Sequence, residues 1–580
     1  MKAFSIAQAT PPSLILGLVT NNSFVDQVAF DGMRKHLTRD FSVFYHLDLQ
    51  GNVRHNPTLS GTAYNVFGIQ VGVGVSIAVR SHEHSGRRLF YHAVPVDLPR
   101  QEKLKWLRGN GSLEEVKWAR LQPDSRHTWL QPANASEFST FLPIGSKEGK
   151  AKQGSQAETA FKVYSGGIKT NRDRIVYDFD SCALLDRIRK FVDHYNAEVD
   201  RFKRAKKPVD TDSFVDYSCI KWDGTLKAHL EHGRYLEFRE DYQRSALYRP
   251  FSTRYLYFDR SVINSVYLQR HLFPRAHAES ENLAVCASGV GAERPFAVFP
   301  TRRIPDLNFF GPGTVPQWYP FYVYDEDGSN RRENVTDWAL KLFRKHYTSR
   351  KIDKWDVFYY VYGMLHHPGY RAKFADCLKR ELPRIPLAVD FWAFANAGRE
   401  LADWHLNYDR GPGSGQETAN GGNPSRGVSP RSDRTGTVRL GGGRSGSGAG
   451  PSDSGEEAAR PGDLYPLEWV ETPGVPLSYR VEKMKLSKDK TAVVVNDSLT
   501  LRGVPPEAFE YRLGNRSALD WVIDQYKVST HKRSGITSDP NRPDDPEYIV
   551  RLVQQVVRVS VETVRIVKSL PADYGVGLPQ

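Results

Sequence analysis

Apolar and polar positions alternate in blocks that mark out elements along the chain. Residues 14–22 (LILGLVTNN) are an apolar run closing on two asparagines, the pattern of a buried strand entering a loop. Residues 25–38 (VDQVAFDGMRKHLT) place Val25, Val28, Met33 and Leu37 on one face and predict a helix. Residues 43–49 (VFYHLDL) read as a second strand. The stretch 66–80 (VFGIQVGVGVSIAVR) reads as strands broken by glycines, with 88–94 available to pair with them as a hairpin. This is strand–helix–strand grammar, which predicts an α/β sheet. Further on, 182–204 and 547–569 carry apolar stripes at helical spacing, the first with a very basic end.

Residues 362–386 (YGMLHHPGYRAKFADCLKRELPRIP) read as two short amphipathic segments joined at His367-Pro368-Gly369. Tyr362, Leu365, Tyr370, Phe374 and Leu378 share a helical face, and Arg371, Lys373, Lys379 and Arg380 are expected to face out. Pro383 and Pro386 stop the second segment, because proline lacks the N–H and clashes inside a helix. His366 and His367 are adjacent and point in different directions, so they do not make a metal pair.

Between 409 and 462 the pattern disappears. Gly, Ser, Pro, Arg and acidic residues dominate, too little apolar surface to offset the entropy of ordering, so the expectation is a disordered linker. The 580 residues are material for about three or four domains. A hydrophobic content of 39% supports packed cores, and the formal net charge of +13 suits a polyanionic partner. Cys182, Cys219, Cys286 and Cys377 form no CxxC pair, which argues against a zinc site or a disulfide framework and for a reducing, cytoplasmic setting. No apolar run reaches the ~18 residues of a membrane span, and the start lacks a signal-peptide pattern.

Several strings go beyond periodicity. The 362–386 block resembles the "Y…LH.P.YR…F…L…LPRIP" segment of the type ISP family of single-chain bacterial restriction-modification enzymes. These join a nuclease, a helicase-like ATPase, an N6-adenine methyltransferase and a target-recognition domain. Gly167-Ile168-Lys169-Thr170-Asn171-Arg172-Asp173 resembles the family's "G.KT.RD" segment. Arg249-Pro250-Phe251 with Tyr255-Leu256-Tyr257-Phe258-Asp259 resembles its "YRPFD.R..YFD" segment, and 511–522 (YRLGNRSALDWV) and 534–541 (SGITSDPN) resemble further segments of the family near its end. In serial order 17–24, 32–37, 47–52 and 65–73 resemble the second half of the family's methyltransferase fold.

The resemblance implies a fold class of α/β: the C-terminal half of a Rossmann-like methyltransferase sheet over 1–97, then a mixed α+β target-recognition domain over 98–408 and 463–580, interrupted by the linker. It also implies S-adenosylmethionine as methyl donor in a complete enzyme, double-stranded DNA as partner, and a separately supplied methyltransferase and helicase half. The chemistry itself is missing from the sequence. No Asn-Pro-Pro-aromatic loop occurs to hold an adenine flipped from the duplex. Gly72-Val73-Gly74 and Gly289-Val290-Gly291 do not follow a strand and open a helix as a donor loop must. Ile144 stands where a phosphate-binding loop ending at Gly149-Lys150 needs its first glycine. No catalytic, cofactor or metal residue is therefore assigned, and whether the chain acts as an enzyme stays open.

For DNA contact the candidates are Lys169, Thr170, Asn171, Arg172, Arg249, Arg254, Lys532 and Arg533, residue types suited to phosphates and base edges. A fold-holding network around Asp173 competes for the first group, a packed aromatic core for Arg249 and Arg254, and a solvated charge run for Lys532 and Arg533. The expected function is sequence-specific recognition for adenine methylation and restriction. The alternatives are an inactive gene remnant and a standalone DNA-binding or anti-restriction protein.

Overall fold

The computed structural model describes residues 13–52, 63–81, 86–151, 157–205, 210–218, 220–409, 459–532 and 534–578. The first sheet is built from β1 (Leu14–Asn21), β2 (Val43–Asp48), β3 (Val73–Arg80), β4 (Arg88–Ala93) and β5 (Ala119–Leu121), in the order β1-β3-β2-β4-β5. The helix expected over 25–38 is broken. Ser23–Asp26 forms one turn, Gln27 is extended, and α1 (Asp31–Asp40) follows. Arg34 on α1 is buried and donates to the carbonyls of Phe24 (2.9 Å), Gln27 (2.7 Å) and His127 (2.7 Å), which ties the broken segment to the chain beyond the sheet.

The expected hairpin also differs. β3 lies antiparallel between β1 and β2, so both its edges are taken, and β4 runs parallel to β2 from Val43↔Arg88 to Asp48↔Ala93. Residues 66–72 form turns rather than strand, anchored by Asn65, whose amide donates to Val71 O at 2.6 Å and Gly51 O at 3.1 Å. The sheet drawn over 1–97 continues further. β5 pairs with β4, and Trp129 packs into the core beside Phe24 and Phe44.

The larger body begins near Phe138. β6 (Ser165–Gly166), β7 (Tyr177–Asp178), β8 (Gln243–Arg249), β9 (Ser252–Tyr257), β10 (Ala284–Ala287), β11 (Val298–Thr301), β12 (Ile304–Pro305) and β13 (Gln317–Pro320) make two four-stranded sheets, β12-β8-β9-β7 and β11-β10-β13-β6. α2 (Ser181–Arg204) matches the expected helix and starts where Asp180 accepts from Ala183 N at 2.6 Å, satisfying an otherwise orphaned donor. Its apolar stripe, Leu184 to Phe202, is buried.

The 362–386 block forms the end of α3 (Lys354–Met364), then α4 (Pro368–Lys373) and α5 (Ala375–Arg380). Tyr362, Leu365, Tyr370, Phe374 and Leu378 are all buried. Arg371 does not face out as expected. Its Nε donates to Leu365 O at 2.6 Å and its guanidinium lies over the Phe296 ring. α3 crosses α6 (Phe391–Leu406) very closely: a Cβ on Gly398 would sit 1.9 Å from Tyr359 O, and one on Gly363 2.2 Å from Phe394 O. Only glycine permits this approach.

Most of the expected linker, residues 410–458, lies outside the described residues. Beyond it, β14 (Glu468–Glu471), β15 (Lys485–Leu486), β16 (Ala492–Val494) and β17 (Leu499–Arg502) form a sheet in the order β14-β17-β16-β15. α7 (Ala518–Gln525), the small hairpin β18 (Ser529–Thr530) with β19 (Thr537–Ser538), and α8 (Tyr548–Lys568) complete the chain. The two sides share one core, which runs from Phe138 to Ile566. Tyr362 OH bonds His405 Nδ1 at 2.7 Å, and His405 Nε2 bonds Thr563 Oγ1 at 2.9 Å, joining α3, α6 and α8 in the interior. Burial pushes the His405 imidazole down to about 3, so it is neutral. No helix among the described residues is long and apolar enough to cross a membrane.

Candidate nucleic-acid interface

A cleft of about 1070 Å³ opens where the sheet β12-β8-β9-β7 faces α7 and the β18–β19 hairpin. One rim is the turn 169–174. Gly167 lets it approach the neighbouring strand, because a Cβ there would lie 2.3 Å from Asp306 O. Ile168 N donates to Pro305 O at 2.9 Å, and Lys169 exchanges backbone hydrogen bonds with Ser265 at 2.8 and 2.9 Å. Within the turn Thr170 Oγ1 donates to Asp173 and accepts from Arg172 N at 3.2 Å, and Tyr248 OH donates to Asp173 Oδ2 at 2.9 Å.

The sequence candidates separate by what holds them. Arg172 is buried, pairs with Asp223 at 2.7 Å and donates to the Val262 carbonyl. Burial would raise the Asp223 carboxyl, yet Arg172 and two other donors hold it below the usual range. Arg249 pairs with buried Asp306 at 2.6 Å and donates to Tyr248 O at 2.6 Å. Burial pushes Asp306 up to about 6, with Arg249 opposing. Arg172 and Arg249 are thus engaged with protein partners, as is Thr170.

Arg254 differs. Its guanidinium is clamped between the Phe179 and Tyr248 rings, 4.4 and 4.2 Å from their centroids, and donates to Gln525 Oε1 at 3.4 Å. It forms no ion pair among the described residues, and its buried Nε has no hydrogen-bond partner there. Lys169 and Asn171 line the cleft with free side chains among the described residues. Lys532 sits in the hairpin loop between His531 and Ser534, which both line the cleft. Arg533 lies outside the described residues.

The structure adds residues that sequence reasoning did not select. Arg174 and Lys221 line the cleft and form no ion pair among the described residues. On the opposite wall Arg516 and Lys527 share Asp524, at 2.5 and 3.0 Å, and Arg516 lies over Trp521. α7 is fixed by a capping box between Ser517 and Asp520. Arg516 lay within the matched 511–522 string, so a signal for it existed. Lys221 and Arg294, the latter on the cleft through a loop held by its bond to Pro312 O at 3.2 Å, had none.

A second polar centre ends β1 and β2 in the first sheet. Asp48 accepts from Tyr91 OH (2.9 Å), from Gln50 N (2.7 Å) and Nε2 (3.0 Å), and from the Asn22 amide. His46 bonds Ser76 Oγ at 2.8 Å, and burial lowers it to about 4. Gly74 packs here against Asn22 and His46, and Gly289 packs against Val315 O. Among the described residues no group of His, Cys, Asp and Glu could hold a metal ion.

Residues 159–552 match the family described as the Type ISP C-terminal specificity domain. The chain belongs to the Type ISP specificity family. Solved structures agree along almost the whole chain. A nuclease-deletion mutant of the Type ISP restriction-modification enzyme LlaGI in complex with a DNA substrate mimic is 28% identical, with a TM-score of 0.76 over 98% of this chain and 47% of that one. A DrdV–DNA complex is 30% identical, with a TM-score of 0.77 over 98% of this chain and 51% of that one. The ATP-dependent Type ISP enzyme LlaBIII bound to DNA is 26% identical, with a TM-score of 0.77 over 98% of this chain and 33% of that one. This Type ISP chain therefore spans between about a third and a half of the solved proteins it matches. Comparison with curated proteins gave no match.

Proposed function

We propose that the chain is the target-recognition part of a Type ISP restriction-modification system, and that the cleft between the 169–174 turn and the 516–538 wall seats duplex DNA. The observation that carries this reading is the convergence of four family segments on one cleft rimmed by Lys169, Arg174, Lys221 and Arg254, none of them in an ion pair among the described residues. Unneutralised cations around a groove are what a phosphate backbone requires. The DNA-bound relatives support the same partner.

The first sheet is read as the second half of an N6-adenine methyltransferase. What supports this is β3, reversed and inserted between β1 and β2, with the polar Asp48 centre at the ends of β1 and β2. In this reading S-adenosylmethionine and the catalytic loop belong to a half supplied from elsewhere, because the sequence carries no Asn-Pro-Pro-aromatic string. The role of this chain is to bind the duplex and present an adenine.

Binding of a mixed-sequence duplex to the full chain, measured across a salt series, tests the reading. With about 6–10 phosphate contacts, affinity falls by roughly 10³–10⁵ between about 50 and 200 mM salt. A flat response, or no binding at low salt, refutes the cleft assignment. Incubated alone with labelled S-adenosylmethionine and DNA, the chain transfers no label above a heat-killed control.

A further inference from the structure

We propose that Asn171 is a specificity-determining residue that reads the major-groove edge of one A·T base pair, while the cations beside it position the backbone. The proposal rests on the reading of the cleft as a DNA site and assigns one side chain a distinct task within it.

Asn171 has a left-handed backbone, with φ of 59°, one of few non-glycine residues here that do. Such a conformation persists where the surroundings fix it and is a pointer to function. The surroundings do fix it. On one side Lys169 is paired to Ser265 through its backbone, and Thr170 is tied to Asp173. On the other Arg172 is locked to Asp223 and Val262, and Asp173 is held by Tyr248. The Lys169 backbone and the Thr170, Arg172 and Asp173 side chains are engaged. The Asn171 side chain, like that of Lys169, has no hydrogen bond among the described residues, and it lines the cleft.

A carboxamide carries one acceptor and two donors. Carried on a fixed backbone, it matches adenine, which offers an N7 acceptor and an N6 donor in the major groove. Lysine and arginine heads nearby suit phosphates, which carry no sequence information. The turn thus presents a base-reading group and a phosphate-binding group two residues apart, Asn171 and Lys169.

The test uses the full chain and a random-sequence duplex pool, with bound sequences read out for wild type, Asn171→Gly, Asn171→Asp and Lys169→Ala. Glycine adopts the left-handed conformation freely, so the first variant deletes the amide and keeps the turn. Wild type is expected to select a motif containing an A·T position. Asn171→Gly relaxes discrimination at that one position by roughly 5- to 150-fold and leaves the others intact. Asn171→Asp, an acceptor only, moves the preference there toward cytosine, whose N4 amine donates. Lys169→Ala keeps the motif and lowers the salt slope by about one. An unchanged motif in Asn171→Gly, uniform relaxation at all positions, or relaxation of that position by Lys169→Ala overturns the proposal. Wild type that binds with no preference overturns it too, leaving the cleft as a DNA site. Wild type that does not bind removes the underlying reading instead.

Discussion

The sheet over residues 14–121 and the recognition body over 138–566 bury their apolar residues in different ways. β1 contains no buried residue, with Ile15 73% and Val19 57% exposed, and among the described residues it pairs on one edge only, with β3. The sheet's interior is split into two small clusters. The recognition body has one continuous core, although 410–458 interrupt it in sequence. An apolar strand with an open edge and an open face is a surface for another polypeptide or a site of aggregation. The recognition body needs no such partner to close its core.

The strongest way to break this contrast is inside the body. Arg249→Ala leaves Asp306 buried and unpaired, and the expected loss is about 3–5 kcal/mol of stability. Denaturant unfolding followed by tryptophan fluorescence checks it, and a loss under about 1 kcal/mol would show that the pair is not structural. Gly398→Ala forces the α3–α6 crossing apart at an expected cost of about 1–3 kcal/mol, visible as a lower midpoint with the first sheet unaffected.

Acidification should affect both regions. The folded chain holds His46 neutral down to about 4 and His405 down to about 3, while an unfolded histidine takes up a proton near 6.5. Both pKa values are lowered by folding, so the stability they represent is present above about pH 6.5 and is lost as pH falls below it. Replacing His405 with Gln should flatten that slope, and an unchanged slope would assign it to other groups. A protease site introduced between 410 and 458 should leave the two pieces associated on size exclusion after cleavage, because α6 and α8 share the core. Their separation would mean that the interlock through His405 and Thr563 is not enough. The smallest effect belongs to the sheet. Ile15→Lys with Val19→Lys should change stability by no more than ~0.5 kcal/mol while raising solubility, and a large loss would show that this face is already covered.

Much of the fold was legible because it depends on local periodicity. α2 and α8 were visible as stripes, since residues three and four apart share a face whatever lies beyond. The strands at 14–21 and 43–48 were visible as apolar runs between turn residues. Their partners were not, because strand order is a choice among distant segments. Residues 88–93 were adjacent to 73–80 in sequence but found β2 once β3 was sandwiched. Arg371 had the spacing of an outward residue and turned inward to the Leu365 carbonyl.

The candidate site shows the same division. By itself the sequence determined the family segments and that 169–174 and 249–254 carry groups able to meet DNA. It could not determine which of them remain free. Arg172 and Lys169 lie in one turn, yet Arg172 is taken by Asp223 and Val262, more than forty residues away in sequence, while Lys169 is left to the cleft. Composition and periodicity fix what a side chain can do. Whether its charge meets a carboxylate or the solvent is fixed by residues that only the tertiary fold brings to it.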